Sequence, residues 1–430
     1  MRSKRLNRHT VAAGHKNRRR ARRGFACGVG VRVMVATLVT LNFCGCSQRQ
    51  AVKPPATKPK PREIRAIWVT RFDYRTRRDV IDIVRNCHSL GLNTILFQVR
   101  GNGTAFYRSR LEPWADELGG DDPGFDPLAV ACGEAHRLGM AMHAYVNVLP
   151  AWRGADPPQN PDQLYNTHPD WFWYDQTGRR QPLQSFYVSL NPCLPQVRRY
   201  LVDVFHELVT RYDIDGLHLD YIRFPSEPPA SGPAGADYPR DPRTVALFTR
   251  QTHRRPDDDP AIWSRWRTDQ VTQLVRQIRT MMHRTKPKLI LSAAVGADPD
   301  AHRRTYHQDA LRWMREGLID WVMPMNYTSD PGLFARRNRR FLDARTDARL
   351  VPGIMIERPD MTAEQIIRHC RRQIGISRRQ ANGYCLFAYA SLFARDPSDE
   401  SAVRRMGRRR EALTDVLAPK PPRPPRSEKR

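Results

Sequence analysis

Residues 214–225 read "IDGLHLDYIRFP". Ile214, Leu217 and Leu219 are apolar, His218 interrupts them, and Asp220 arrives as the run ends. A buried strand has no structural reason to finish on a carboxylate, because a charge stripped of water is costly. Asp215 and Asp220 stand at opposite ends of this strand, so the fold decides which of them faces a ligand. His218 lies two residues before Asp220 and therefore on the same side of the strand.

The segments around this stretch repeat one rhythm, an apolar strand followed by a helix. "IRAIWVT" leads to "RDVIDIVRNCHSLG", "NTILFQV" to "DPLAVACGEAHRLG", and "MAMHAYVNV" to "PQVRRYLVDVFHELVTRYD". "IDGLHLD" leads to "IWSRWRTDQVTQLVRQIRTMMH", "KLILSAAV" to "YHQDALRWMREGL", and "IDWVMPMNY" to "GLFARRNRRFLDAR". "RLVPGIMI" leads to "TAEQIIRHCRRQIG", and "GYCLFAYA" to a last helix near 399–416. The strands are short and apolar on both faces, as in buried parallel sheets. Eight such units over residues 63–416 predict a (β/α)8 TIM barrel with long loops after strands 2, 3 and 4. A doubly wound open sheet fits less well, since no Gly-rich phosphate loop follows the first strand.

Barrels of this kind place their chemistry at the C-terminal strand ends. There stand Trp68, Arg71 and Asp73 on strand 1, Gln98, Arg100 and Asn102 on strand 2, and His143, Tyr145 and Asn147 on strand 3. Strand 4 contributes His218, Asp220, Tyr221 and Arg223; strand 6 Met325, Asn326 and Tyr327; strand 7 Glu357; strand 8 Tyr389. The long loops add Trp114, Trp152, Trp171, Trp173 and Tyr174. Polar groups mixed with aromatics at one rim suit a sugar, which joins hydroxyls to apolar ring faces. The expected substrate-binding set is Trp68, Arg71, Gln98, Arg100, Tyr145, Asn147, His218, Arg223, Asn326 and Tyr327. Asp220 is the expected main catalytic carboxylate, kept ionised by nearby Arg223, while Asp215 caps or salt-bridges at the other end of the barrel. Glycoside hydrolysis needs a carboxyl pair. Glu357 is the first choice for the second member, ahead of Asp330 and Asp73.

The ends of the chain read differently. "NRRRARRGF" followed by the apolar "VMVATLVTLNFCG" has the form of an export leader, too short for a comfortable membrane span. It ends in "FCGCS", which resembles a bacterial lipoprotein box with Cys46 as the lipidated residue. Residues 1–46 are thus expected to be a signal peptide, 47–62 a Pro/Lys-rich tether and 417–430 a disordered basic tail. The formal charge of the chain is +28; residues 1–46 hold eleven Lys and Arg and no acid, leaving 28 − 11 = +17 for the rest. That excess suits a solvated basic surface or an acidic polymer such as a carboxylated glycan. Nucleic acid is not an expected partner, because no such motif is present and the leader implies export. Cys87, Cys132, Cys193, Cys370 and Cys385 show no metal-ligand spacing and read mainly as small core residues, with one disulfide open to them. No metal or cofactor is expected, and the pattern specifies no oligomeric state.

Together "EIRAIWVT", "NTILFQVRGNGTAFYRSRLEPWADELGG", "FDPLAVACGEAHRLGMAMHAYVNV", "DGLHLDYIRFP" and "WRTDQVTQLVRQI" resemble the glycosyl-hydrolase-like family 10 lipoproteins. The resemblance covers nearly the whole body. It implies a bacterial (β/α)8 protein anchored to the cell envelope through lipid, acting on a polysaccharide such as peptidoglycan glycan strands stripped of peptides, with Asp220 as the strand-4 acid. "RGNG" departs from the family's more usual Arg-Pro-x-Gly-Asp wording, with Asn102 and Thr104 in place of the expected neighbours. A looser similarity to chitinase-type barrels stops at Ile222, which stands where their catalytic Glu would be. "MPMNY" resembles, faintly, the Met-x-Tyr of those barrels, whose Tyr steadies an N-acetyl group. A non-catalytic carbohydrate-binding lipoprotein with the same barrel is the alternative reading.

Overall fold

The structure, a computed structural model, describes residues 63–225, 236–358, 361–395 and 398–418. The expected leader, lipidation site and tether lie outside the described residues, as does nearly all of the basic tail. The chain runs through β1 (Ile64–Val69), α1 (Arg77–Ser89), β2 (Thr94–Arg100), α2 (Pro127–Arg137) and β3 (Ala141–Asn147). Then come β4 (Pro150–Gly154), α3 (Leu164–Thr167), β5 (Gln184–Ser189), α4 (Pro195–Arg211) and β6 (Gly216–Asp220). Next are α5 (Pro242–Thr252), α6 (Pro260–Thr285), β7 (Ile290–Gly296), α7 (Pro299–Tyr306), α8 (Ala310–Arg315) and β8 (Trp321–Met325). The last are α9 (Pro331–Leu342), β9 (Arg349–Leu350), β10 (Gly353–Met355), α10 (Ala363–Gln380), β11 (Gly383–Phe387) and α11 (Glu400–Leu417).

Nine strands form one sheet in the order β10-β11-β1-β2-β3-β6-β7-β8-β9. Every neighbouring pair is parallel. Only Val351 and Pro352 separate β9 from β10. The Val351 N–H donates to Val322 O at 2.9 Å, and the Cys385 N–H donates to Pro352 O at 3.0 Å. β9 and β10 are therefore halves of one strand, nicked where proline has no N–H to give. The two ends of the order meet there and the barrel closes, as the eight expected units require.

Alternation along the strands divides two cores. Ile64, Ala66 and Trp68 of β1, Leu96, Tyr145, Trp321, Met323, Val351 and Cys385 fill the barrel. The intervening Ile67, Val69, Ile95, Phe97, Leu217 and Leu219 face the helices. With Leu217 and Leu219 turned outward, period 2 turns His218 and Asp220 inward. Gly216 also matters, because a Cβ there would fall 2.4 Å from the ring of His143, which fills the lower barrel.

Helix starts follow a repeated Asp-Pro signature. Asp126, Asp241, Asp259, Asp298 and Asp330 each accept a backbone N–H from the first turn of the helix that opens with the next proline. Proline at the first position gives up only an N–H that has no partner anyway, and each cap stabilises its helix by about 1 kcal/mol. Asp330 is thereby spoken for, which removes it from the expected carboxylates. Asp215 caps the barrel bottom as expected: its Oδ2 accepts the Met142 N–H at 2.8 Å and lies 2.8 Å from His136 Nε2. The five described cysteines are all buried and free, so the core reading holds and none is paired.

Candidate active site

Asp220 ends β6 inside the mouth of the barrel. Its Oδ2 accepts a hydrogen bond from the Tyr145 hydroxyl at 2.8 Å, and its Oδ1 accepts the Tyr221 N–H at 2.7 Å. Tyr221 makes that contact from a left-handed backbone, φ +49°, a conformation a non-glycine residue holds only when its surroundings impose it. Burial pushes the Asp220 carboxyl above its ordinary range, against the opposing pull of Tyr145, Arg223 and the Tyr221 N–H. Arg223 does favour the ionised form, as expected, but burial acts more strongly in the opposite direction. The two side chains form no ion pair, and removal from water outweighs a cation felt only at a distance.

The Arg223 guanidinium lies beside two rings, 4.7 Å from the centre of Tyr221 and 5.7 Å from that of Tyr306. Tyr327, at the end of β8, faces the same space. Burial raises its phenol pKa first, and the nearby Asp220 charge raises it further. Its ring packs 5.3 Å from that of Phe387. Asp220, Tyr145, Arg223 and Tyr327 are the sequence-predicted residues that converge.

The sequence matches the family model described as glycosyl hydrolase-like 10 over residues 63–355, more than half of the chain. The protein belongs to the glycosyl hydrolase-like 10 family. It is 28% identical over 350 residues to glycosyl hydrolase DigH of Escherichia coli K12, spanning 69% of this chain and 74% of DigH. It is 27% identical over 306 residues to glycosyl hydrolase YngK of Bacillus subtilis, spanning 64% of this chain and 56% of YngK. Among solved structures, the PgaB (BpsB) glycoside hydrolase domain from Bordetella bronchiseptica superposes with a TM-score of 0.58 at 18% identity, covering 84% of this chain and all of that domain. The catalytic domain of a Paenibacillus polymyxa beta-amylase gives 0.53 at 11% identity, covering 82% of this chain and 98% of that one. Both likenesses show the barrel fold.

Within this glycosyl hydrolase-like barrel the other expected residues are placed differently. His218 has no nitrogen to offer a sugar. The Trp68 indole N–H donates to its Nε2 at 2.9 Å, so Nδ1 carries the proton and donates to Ser292 Oγ at 2.9 Å. Burial drives its pKa well below the ordinary imidazole value, with neighbouring His143 adding to the shift. His218 and Trp68 thus form a fixed floor, on which the Tyr145 ring stands edge-on at 5.3 Å.

Arg71, Gln98 and Asn147 do come together, but they bond to one another and to fixed neighbours, with Arg71 Nη2 alone of their polar side-chain atoms left buried without a partner. The Arg71 N–H donates to Gln98 Oε1 at 3.0 Å, Gln98 Nε2 donates to Asn147 Oδ1 at 3.0 Å, and Asn147 Nδ2 donates to Gly101 O at 3.0 Å. The Arg71 side chain donates to Glu117 Oε1 at 2.8 Å and to the Tyr187 hydroxyl at 3.0 Å. The trio is a wall of the site. Arg100 and Asn326 leave the site altogether. Arg100 is fully buried against Glu112, 2.7 Å away, and donates to the carbonyls of Asn147 and Val148. Asn326 donates to Phe334 O and Asn338 Oδ1, both at 3.0 Å, and so ties β8 to α9.

Of the remaining expected carboxylates, Asp73 accepts from the Thr70 N–H at 2.7 Å and the Thr70 hydroxyl at 2.9 Å and pairs with Arg395 at 2.9 Å, a turn clamp. Glu357 is exposed on the rim beyond β10, with Ser391 Oγ 3.5 Å away. The loop aromatics are mostly structural. Trp173 donates to Leu190 O at 2.7 Å, Trp152 donates to Asp156 O at 2.8 Å, and Trp171 lies against His168 with ring centres 3.9 Å apart.

Several neighbours of the site were not singled out from sequence. Tyr187 on β5 packs 5.2 Å from Tyr221. Glu117 comes from the loop after β2 to hold Arg71. His302 on α7 lies over the end of β7, where a Cβ on Gly296 would fall 1.9 Å from its ring. Its pKa is lowered chiefly by burial, with Arg223 contributing. The legible signal was the small-residue run "SAAVG" on strand 5, which leaves room in the mouth, but nothing in it names the side chain that enters. Among the described residues no group of three or more His, Cys, Asp or Glu is arranged to hold a metal, and no helix is long and apolar enough to cross a membrane.

Proposed function

We propose that the protein is a glycoside hydrolase acting on a cell-envelope polysaccharide, with peptide-free peptidoglycan glycan strands as its substrate. The observation that carries the proposal is Asp220, a buried carboxyl at the C-terminal mouth of the barrel, held by Tyr145 and the Tyr221 N–H. A carboxyl whose pKa is raised by burial suits protonation of the departing glycosidic oxygen. In this reading Asp220 is the general acid. Tyr145 is a positioning residue that orients Oδ2, and Tyr327 contacts the sugar. Glu357, exposed on the rim, is proposed as the second carboxylate. Glu117 is set aside because Arg71 already occupies it.

Membership of a glycosyl hydrolase-like family and the names of DigH and YngK support hydrolysis as the reaction. The basic excess supports an anionic polymer as the substrate. The leader motif supports an exported, Cys46-lipidated form, which an intact-mass measurement of the mature N-terminus tests.

Purified protein is incubated with peptide-free glycan strands, and released oligosaccharides are identified by mass spectrometry. New reducing ends that disappear in Asp220→Asn, and fall in Glu357→Gln, support the reading. Tight binding of the strands without any release turns it to the carbohydrate-binding alternative.

A further inference from the structure

Two arginines at the mouth have carboxylate partners: Arg71 has Glu117 at 2.8 Å, and Arg395 has Asp73 at 2.9 Å. Arg223 differs. Among the described residues no ion pair involves it, and its one hydrogen bond is a long one, 3.4 Å to the carbonyl of Phe224. Asp220 forms no ion pair with it, although the two charges act on each other at a distance. The neutral side is equally defined. The Tyr221 and Tyr306 rings pack beside the guanidinium, 4.7 and 5.7 Å from its central carbon. His302 stands close by with a lowered pKa, so it adds no second cation at neutral pH.

A half-buried guanidinium packed beside aromatic rings, with no ion-pair partner among the described residues, can take a planar anion edge-on with two parallel hydrogen bonds. The adjacent end of β7 carries only the small residues Ala294 and Gly296, and the His302 ring seats over Gly296. We infer that Arg223 is a specificity-determining residue that binds a carboxylate carried by the sugar ring bound beside Asp220. The inference rests on the glycosidase reading for its substrate, and names that substrate as a glycan whose repeating sugar is anionic. A lactyl ether carboxylate, as on muramic acid, and a uronic acid carboxylate share this chemistry.

The test compares wild type, Arg223→Ala and Arg223→Lys on three polymers. These are peptide-free peptidoglycan strands, the same strands with carboxyls reduced to alcohols, and a polymer alternating N-acetylglucosamine with glucuronate. Both KM for reducing-end release and equilibrium binding of labelled strands by anisotropy are measured, with circular dichroism confirming the fold. For a bidentate charged contact, Arg223→Ala should weaken KM and binding about 10–100-fold on carboxylated strands. The ratio of variant to wild type should collapse toward one on the reduced strands, and Arg223→Lys should fall between. Preference for the first or the third polymer tells lactyl from uronic carboxylate. An equal effect on native and reduced strands, or no effect on either, overturns the inference. If no polymer is cut but the carboxyl-dependent binding difference remains, the glycosidase reading fails while the role of Arg223 stands.

Discussion

Asp220→Asn replaces the buried carboxyl by an amide of nearly the same shape. Two consequences follow from the geometry, and they point in different directions. The first is loss of the ionisable proton. General acid–base assistance contributes about 10²–10⁴-fold in rate, so release of reducing ends from peptide-free strands should fall by at least that range, about 3–5 kcal/mol in the barrier. The second concerns stability. The wild-type carboxyl accepts from Tyr145 and from the Tyr221 N–H, and an amide keeps one acceptor and reverses the other contact. Weakening these bonds costs about 1–2 kcal/mol at most, and relief of a buried charge offsets it.

The sign of the pH dependence separates the two accounts. The folded pKa of Asp220 lies above its ordinary value of 3.8, so the native state holds a proton that the unfolded chain has released. Stability of the wild type therefore falls as pH rises from about 3.8 through the folded pKa, and then levels off. Asp220→Asn lacks this loss, so its melting temperature should gain on wild type as pH rises. Melts from pH 4 to 8 and activity per folded molecule, measured on one preparation, check both statements. Activity within about threefold of wild type would refute the catalytic role, given the 10²-fold minimum expected. A melting-temperature gap that stays constant with pH would refute the burial argument.

Tyr145→Phe removes the hydroxyl that orients Asp220 Oδ2 while leaving the ring on His218. Turnover should drop about 10-fold or more with little change in melting temperature, the sign of a positioning residue. Glu112→Gln strands the buried Arg100 guanidinium without its counter-charge and should destabilise the fold by about 3–5 kcal/mol in chemical denaturation. His143, buried and stacked on Trp321, has its pKa pushed down by burial to about 4 from 6.5. The unfolded chain therefore binds more protons between those values, and stability should fall as pH drops from about 6.5 toward 4. Replacing His143 by Phe should flatten that part of the acid-unfolding curve.

Much of the barrel is legible in sequence because its cause is local. A strand with period 2 and a following helix with Asp-Pro at its start are read from neighbouring residues, and eight repeats leave few architectures that bury them all. The same locality placed Asp220 at the mouth and Asp215 at the bottom. The split of the seventh strand at Pro352 is an irregularity of the ring, and only the closed sheet shows that β9 and β10 are one element.

Which polar groups remain for a substrate was decided by contacts far apart in sequence. His218 is consumed by Trp68, 150 residues away, and by Ser292, 74 residues away. Gln98, 27 residues on, accepts the Arg71 N–H, and Asn326 is absorbed by α9. Strand periodicity tells which side a residue faces, but not whether its hydrogen bonds are already made. The charge state of Asp220 is of the same kind: sequence proximity to Arg223 argued for the ionised form, whereas exclusion of water by the surrounding packing raises the pKa. Direction along a strand is a property of the backbone and is written locally. Satisfaction of polar groups and local dielectric belong to the assembled barrel, and they turned a list of rim residues into one carboxyl, two tyrosines and an arginine.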